Sequence, residues 1–177
     1  MQAEPESLIE RLHKGDKSAA EELVDRYYRQ IYLFIMRMGN DRQTSEDLTQ
    51  EVFLTVWQKI GQLKYENALR SWIYRIAVNA SKLHWRKAKK KTDNTHPGYI
   101  NGADEGSAPS DDAAQSEEIE RAREALTELP LKLREVIVLH YLQNMPISEA
   151  SDVIGIKEGT FKSRLNRALN ILRKQLL

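Results

Sequence analysis

Residues 92–116, TDNTHPGYINGADEGSAPSDDAAQS, divide this chain: they hold three of its eight Gly, two of its five Pro, five acids and no Lys or Arg. Such a segment buries too little apolar surface to offset the entropy of ordering it. It reads as a flexible linker between two folded modules, reaching roughly 80 Å when taut and averaging about 30 Å as a coil.

Both modules carry helical periodicity and neither shows an alternating, β-branched run bounded by turn signals, so the fold class is all-α. Ala20, Leu23, Val24, Tyr27, Ile31, Phe34, Ile35 and Met38 predict a first helix capped by Asp16 or Ser18 and stopped by Gly39. A second is expected from Thr44 or Ser45 through Leu48, Val52, Phe53, Val56, Trp57 and Ile60 to Gly61. A third, from about Leu69 to Lys90, places Trp72, Ile73, Ile76, Ala77, Ala80 and Leu83 on one stripe. Beyond the linker, Ile119, Ala122, Leu126 and Leu129 make one helix, and Pro130 opens another through Leu133, Val136, Ile137 and His140.

Next come a short helix from about Ser148 to Ile154, the turn Gly155-Ile156-Lys157-Glu158-Gly159, and a last helix from Thr160 onward. A short helix, a Gly-containing turn and a polar-faced second helix form a helix-turn-helix pattern. At 100° per residue, Phe161, Leu165, Ala168, Leu169 and Leu172 cluster on one side of the last helix. Ser163, Arg167, Asn170 and Lys174 point the opposite way, with Lys162 and Asn166 on one flank, and these residue types hydrogen-bond base edges and phosphates.

The net charge of +1 conceals segregation. Residues 1–60 carry 8 basic and 11 acidic side chains, 61–92 carry 9 and 1, 93–125 carry 2 and 9, and 126–177 carry 8 and 5. The block 61–92, ending in Arg86, Lys87, Lys89, Lys90 and Lys91, is the footprint of a surface that meets phosphates. Tyr65, Trp72, Tyr74 and Trp85 are interleaved with it, and rings beside cations suit exposed bases.

The absence of cysteine excludes disulfides, Cys-based zinc sites and thiol nucleophiles. His13, His84, His96 and His140 show no HExxH-like pairing and no Gly-rich phosphate loop is present, so neither a metal site nor any other cofactor is expected, and the chain reads as no enzyme. The N-terminus has acids and a Pro where a secretory signal has basic residues and an apolar core, and the apolar runs 31–36 and 136–142 are too short for a span, so a cytoplasmic protein without membrane insertion is expected.

Three stretches carry a family resemblance: SEDLTQEVFLTVW (Ser45 to Trp57), WIYRIAVNASKLHWRKAKKK (Trp72 to Lys91) and LPLKLREVIVLHYLQNMPISEASDVIGIKEGTFKSRLNRAL (Leu129 to Leu169). In this order and with a variable linker between them, they resemble the extracytoplasmic-function (ECF) sigma factors of bacteria, initiation subunits of RNA polymerase in the sigma-70 family. The resemblance implies sigma region 2 within residues 1–91, a linker at 92–116, and sigma region 4 at 117–177.

It also implies partners and roles. The helix carrying Asp47, Gln50, Glu51 and Trp57 would dock on the clamp helices of the polymerase β′ subunit, with Phe53 kept as core. Leu63, Tyr65 and Asn67 lie in the loop that would pocket a flipped base of the −10 element, Arg75 and Asn79 on the helix that follows, and Lys82, Arg86 and Lys87 would bind flanking phosphates. This chain has Leu63-Lys64-Tyr65 where the family often has Phe-Arg-Gly, which bears on the base preferred there. In the −35 reader, Lys162, Ser163 and Arg167 would enter the major groove, Arg164 would meet phosphate and Thr160 would cap the helix. Arg134-Glu135-Val136 would sit against the tip of the β-subunit flap, Val136 itself reading as core.

The resemblance further implies promoter DNA as ligand and an anti-sigma factor, often membrane-anchored, that covers the polymerase-docking faces. A two-domain helix-turn-helix regulator acting at an operator is the competing reading. It shares the last helices but has no need of a strongly basic block behind an SEDLTQEVF helix.

Overall fold

The computed structural model describes residues 6–92 and 113–176. Among them the only regular elements are helices: α1 (Leu8–His13), α2 (Lys17–Arg37), α3 (Arg42–Lys59), α4 (Leu69–Thr92), α5 (Ala113–Glu128), α6 (Leu131–Ile137), α7 (Ile147–Ile154) and α8 (Glu158–Leu176). Two 3₁₀ turns, Ile60–Gln62 and Glu66–Ala68, link α3 to α4, and a π turn, Val138–Leu142, extends α6. None of the described helices is long and apolar enough to cross a membrane.

The ends of the helices follow local chemistry. Asp16 caps α2 by accepting from the Ser18 amide at 2.9 Å, and Gly39 ends it at φ +89°, a left-handed conformation that costs glycine little. The α3 start lies earlier than Thr44 or Ser45 because the Asp41 carboxylate is a cap three residues upstream of Thr44, accepting from the Thr44 amide at 2.7 Å. Helix α5 begins at Ala113, so the end of the expected linker is helical: Ala113, Ala114 and Gln115 are good helix formers that no proline interrupts. The expected linker residues 93–112 lie outside the described residues.

Helices α2, α3 and α4 form a bundle around Ile31, Phe34, Ile35, Val52, Ile73 and Ala77, with Phe34 edge-on to Tyr74 at 5.5 Å. Helices α6, α7 and α8 enclose Val136, Leu139, Ala150, Phe161 and Ala168. These are not separate cores. Helix α4 packs on α3 on one side and on α7 on the other, and the buried side chains of both modules form one continuous cluster.

Two-sided packing explains why the buried surface of α4 is broader than the expected single stripe. Tyr74, Val78 and Ser81 are buried beside Ile73 and Ala77, whereas Leu83, expected on the stripe, is exposed. A helix between two layers needs two apolar faces, and periodicity against one solvent boundary registers only one.

Phe34 is fully buried at the centre of this cluster, so Phe34→Ala should lower unfolding stability by about 3–5 kcal/mol in chemical denaturation. A loss below about 1 kcal/mol would mean that the site collapses around the deletion.

Candidate nucleic-acid and partner-docking faces

Helix α3 buries Leu48, Thr49, Val52 and Val56 and turns Asp47, Gln50, Glu51 and Trp57 outward. Leu54, which the sequence reading passed over, completes this face at 64% exposure, next to Trp57 at 48%. Its signal was positional: Leu54 stands four residues after Gln50 and three before Trp57, on the side that carries no buried residue. A groove lined by Leu23, Val24, Tyr28, Phe53 and Leu54 adjoins it. Phe53 is half-buried and stacks on Tyr28 at 5.8 Å, in keeping with a structural role. Exposed Leu and Trp beside carboxylates and an amide make a surface suited to a protein partner.

The loop between α3 and α4 presents Tyr65, 70% exposed, and Asn67, also exposed. Leu63 does not join them: it is 7% exposed and belongs to the core, where it anchors the loop from beneath. On α4, Arg75, Asn79, Lys82 and Arg86 fall at helical spacings of four, three and four and share one face. Asn79, Arg86 and Lys87 are exposed.

Tyr74 departs from the expectation of a ring offered to bases. It is fully buried, and its hydroxyl donates to Gln143 Oε1 at 2.6 Å. Burial pushes the phenol up to about 12. Trp72 and Trp85 are half-buried, leaving Tyr65 as the open ring of this block.

On α8, Lys162, Ser163, Asn166, Arg167 and Asn170 are exposed, while Phe161, Leu165 and Ala168 are buried on the opposite side, as a 100° advance per residue places them. Thr160 is not its cap. The helix begins at Glu158, which places Thr160 inside the first turn.

Arg164 also differs from expectation, since it points inward and donates to Glu135 Oε1 at 3.2 Å. Lys82 of α4 meets the other oxygen of the same carboxylate at 3.0 Å. Glu135 is only 1% exposed; burial raises its carboxyl above the usual range, and Lys82 and Arg164 oppose that shift. Arg134, also buried, donates to Leu126 O at 3.0 Å, to Thr127 O and Leu129 O, and across the modules to Met38 O at 2.5 Å. Burial brings this guanidinium down to about 10. The stretch expected to face the polymerase flap is therefore enclosed in this conformation, because Arg134 and Glu135 find their partners inside the protein.

Two family descriptions match the chain, Sigma-70 region 2 over residues 23–91 and Sigma-70, region 4 over residues 119–172. It is 31% identical to the ECF RNA polymerase sigma factor SigW of Bacillus subtilis, across 95% of this chain and 94% of that protein. The chain belongs to the ECF sigma factors of the sigma-70 family. This sigma factor is also 28% identical to the RNA polymerase sigma-H factor of Pseudomonas aeruginosa, over 99% and 95% of the two chains. Its fold is that of CnrH, solved in complex with the cytosolic domain of CnrY (TM-score 0.72, 22% identity, 96% and 94% coverage). It is shared by RpoE of Bartonella quintana, solved with the anti-sigma factor NepR (TM-score 0.70, 21% identity, 88% and 95% coverage). As an alternative sigma factor, the protein directs promoter-specific transcription.

The Tyr74–Gln143 bond joins the two sigma regions in a buried setting. Tyr74→Phe leaves the Gln143 acceptor without its donor and should cost about 1–2 kcal/mol of unfolding stability in urea. An unchanged midpoint would show that the bond is not formed in solution.

Proposed function

We propose that the sigma factor distributes initiation over three faces. Asp47, Gln50, Glu51 and Trp57, with Leu54, dock α3 on the clamp helices of the β′ subunit: the apolar pair is desolvated at the centre and the carboxylates meet cations around it. Tyr65 and Asn67 in the loop, with Arg75 and Asn79 on α4, receive unpaired bases of the −10 element. Leu63 supports that loop, and Lys82, Arg86 and Lys87 hold the adjoining phosphates.

On α8, Lys162, Ser163 and Arg167 read the −35 element in the major groove, with Arg164 reaching a phosphate. Melting is driven by capture of the opened strand. The chain contributes no reacting group, acts in the cytoplasm, and leaves phosphoryl chemistry to the polymerase.

The observation that supports this reading best is the outward face of α8, where Lys162, Ser163, Asn166, Arg167 and Asn170 stand together opposite a buried Phe161–Leu165–Ala168 stripe. An operator-binding regulator would use the same face. It would leave the exposed Leu54–Trp57 pair among carboxylates, and the nine basic residues of 61–92, without a task. CnrH and RpoE were solved with CnrY and the anti-sigma factor NepR, and we extend that regulation to this chain: an anti-sigma factor that covers the α3 face keeps it from polymerase.

Two substitutions separate the faces. Arg167→Ala should weaken −35-dependent initiation by about 1–3 kcal/mol and leave the affinity for core polymerase unchanged; an unaltered promoter response removes Arg167 from the reading set. Asp47→Arg should lower core affinity at least tenfold by fluorescence anisotropy, and a complex that forms as before places the docking face elsewhere.

A further inference from the structure

Helix α1 lies upstream of residues 23–91, which the Sigma-70 region 2 description matches, and no face of the proposed function uses it. At six residues it is too short to persist alone. Leu8, Ile9 and Leu12 bury one side of it in the core. Ser7 and Glu10 cap it reciprocally, the Glu10 amide donating to Ser7 Oγ at 3.3 Å and the Ser7 amide to Glu10 Oε2 at 3.0 Å. Arg11 fastens it to the start of α2: Nε donates to Asp16 Oδ2 at 3.0 Å, Nη1 to Glu22 Oε2 at 2.9 Å and Nη2 to Ser18 Oγ at 2.9 Å. The guanidinium fork thereby sets the direction of α1 against α2.

This short helix ends in His13, whose Nε2 lies 2.9 Å from the carbonyl oxygen of Ile60. A carbonyl can only accept, so the ring holds a proton on Nε2 and donates it to this bond. Ile60 caps the C-terminal end of α3, where carbonyls lack helical donors. The same oxygen accepts from the Leu63 amide at 3.0 Å, closing the 3₁₀ turn Ile60–Gln62, so both of its lone pairs are engaged.

That turn is the root of the loop between α3 and α4. From Gly61 to Asn67, Leu63 is the one buried side chain, while Tyr65 and Asn67 stand exposed. A loop anchored by a single apolar side chain can pivot about it. The bond from His13 is a second fixed point, and it sets the direction in which the turn leaves α3.

We infer that His13 is a positioning residue of the −10 reader: α1 is a brace whose bond to Ile60 O fixes the exit of the Ile60–Leu63 turn, and with it the placement of Tyr65 and Asn67 against an unpaired base. The bracing itself stands on the bond geometry; its effect on promoter choice rests on the proposed role of Tyr65 and Asn67. Phosphate contacts hold a strand whatever its sequence, whereas preference among bases needs donors and acceptors kept in place. Loss of the brace therefore blunts base preference more than it weakens attachment.

Three substitutions separate the bond from the bulk of the side chain. His13→Gln keeps a nitrogen donor as many bonds from Cα as histidine Nε2, His13→Asn brings its donor one bond short, and His13→Ala has none. In the full chain the Leu63 amide should exchange with solvent roughly threefold or more faster in His13→Ala and His13→Asn than in the parent. His13→Gln should exchange at the parent rate, and the helical circular dichroism should be the same in all three.

With core polymerase, initiation is then measured on templates built from the most active start site found on sheared DNA of the source organism, each base of the −10 element substituted in turn. His13→Ala and His13→Asn should compress the discrimination among −10 bases by about threefold to tenfold, the span of one hydrogen bond. Affinity for core polymerase and the response to −35 substitutions should match the parent, whereas a chain that is merely less stable would lower every template alike. Tyr65→Ala and Asn67→Ala are run on the same templates.

Unchanged Leu63 exchange in His13→Ala, or a His13→Gln chain that behaves as His13→Ala in both measurements, overturns the brace and leaves the base-reading assignment standing. If Tyr65→Ala or Asn67→Ala compresses the −10 profile and His13→Ala does not, the positioning role is overturned alone. If none of the three compresses it, the loop is not the reader and the positioning role falls with that assignment.

Discussion

The structure depends on one helix packed on two sides. Helix α4 closes the region 2 bundle against α3, receives region 4 through α7, and still presents Asn79, Arg86 and Lys87 to solvent. The first two demands account for its buried residues Ile73, Tyr74, Ala77, Val78 and Ser81. They also fix where its cations lie: Arg75 and Lys82 fall at the margin of the seam with region 4, where Arg75 donates to Asp152 O and Lys82 pairs with Glu135.

Two neighbouring residues of opposite charge give the seam its character. Arg134 is satisfied mainly by carbonyls, three from the end of α5 and the loop after it and one from the end of α2. These acceptors offset the cost of burying a guanidinium without a carboxylate partner. Glu135 instead relies on two long cationic side chains, Lys82 and Arg164. Buried ion pairs add little net stability because desolvation consumes much of the Coulombic gain, yet they fix geometry and penalise mispairing.

Most of the local structure was legible in the sequence. Period-3.6 spacing located the long helices, Asp16 and Gly39 set the limits of α2, and the phase of α8 separated its buried stripe from its polar face. The same method misread Tyr74 and Leu63 and did not register the internal pairing of Lys82 and Arg164 with Glu135, and for one physical reason. A polar or amphipathic side chain that faces another module has the same sequence signature as one that faces water or DNA. Leu54 illustrates the converse, an apolar residue on an outward face that periodicity alone leaves unassigned. Thr160 and Thr44 were displaced as helix starts because the helices extend to Glu158 and Arg42, with Asp41 as the cap of α3.

Function thus follows from a division of labour in which neither region suffices. In the proposed function region 2 supplies the docking face on α3 and the strand-capturing surface of α4, region 4 supplies the groove-reading helix, and polymerase is the frame on which both act together. Run-off transcription on sheared DNA from the source organism, with core RNA polymerase in the presence and absence of this protein, tests that claim most directly. The account predicts new discrete transcripts whose start sites share two upstream elements at fixed spacing. An unchanged transcript pattern, together with DNA binding by the protein alone, would contradict it and favour an operator-binding regulator.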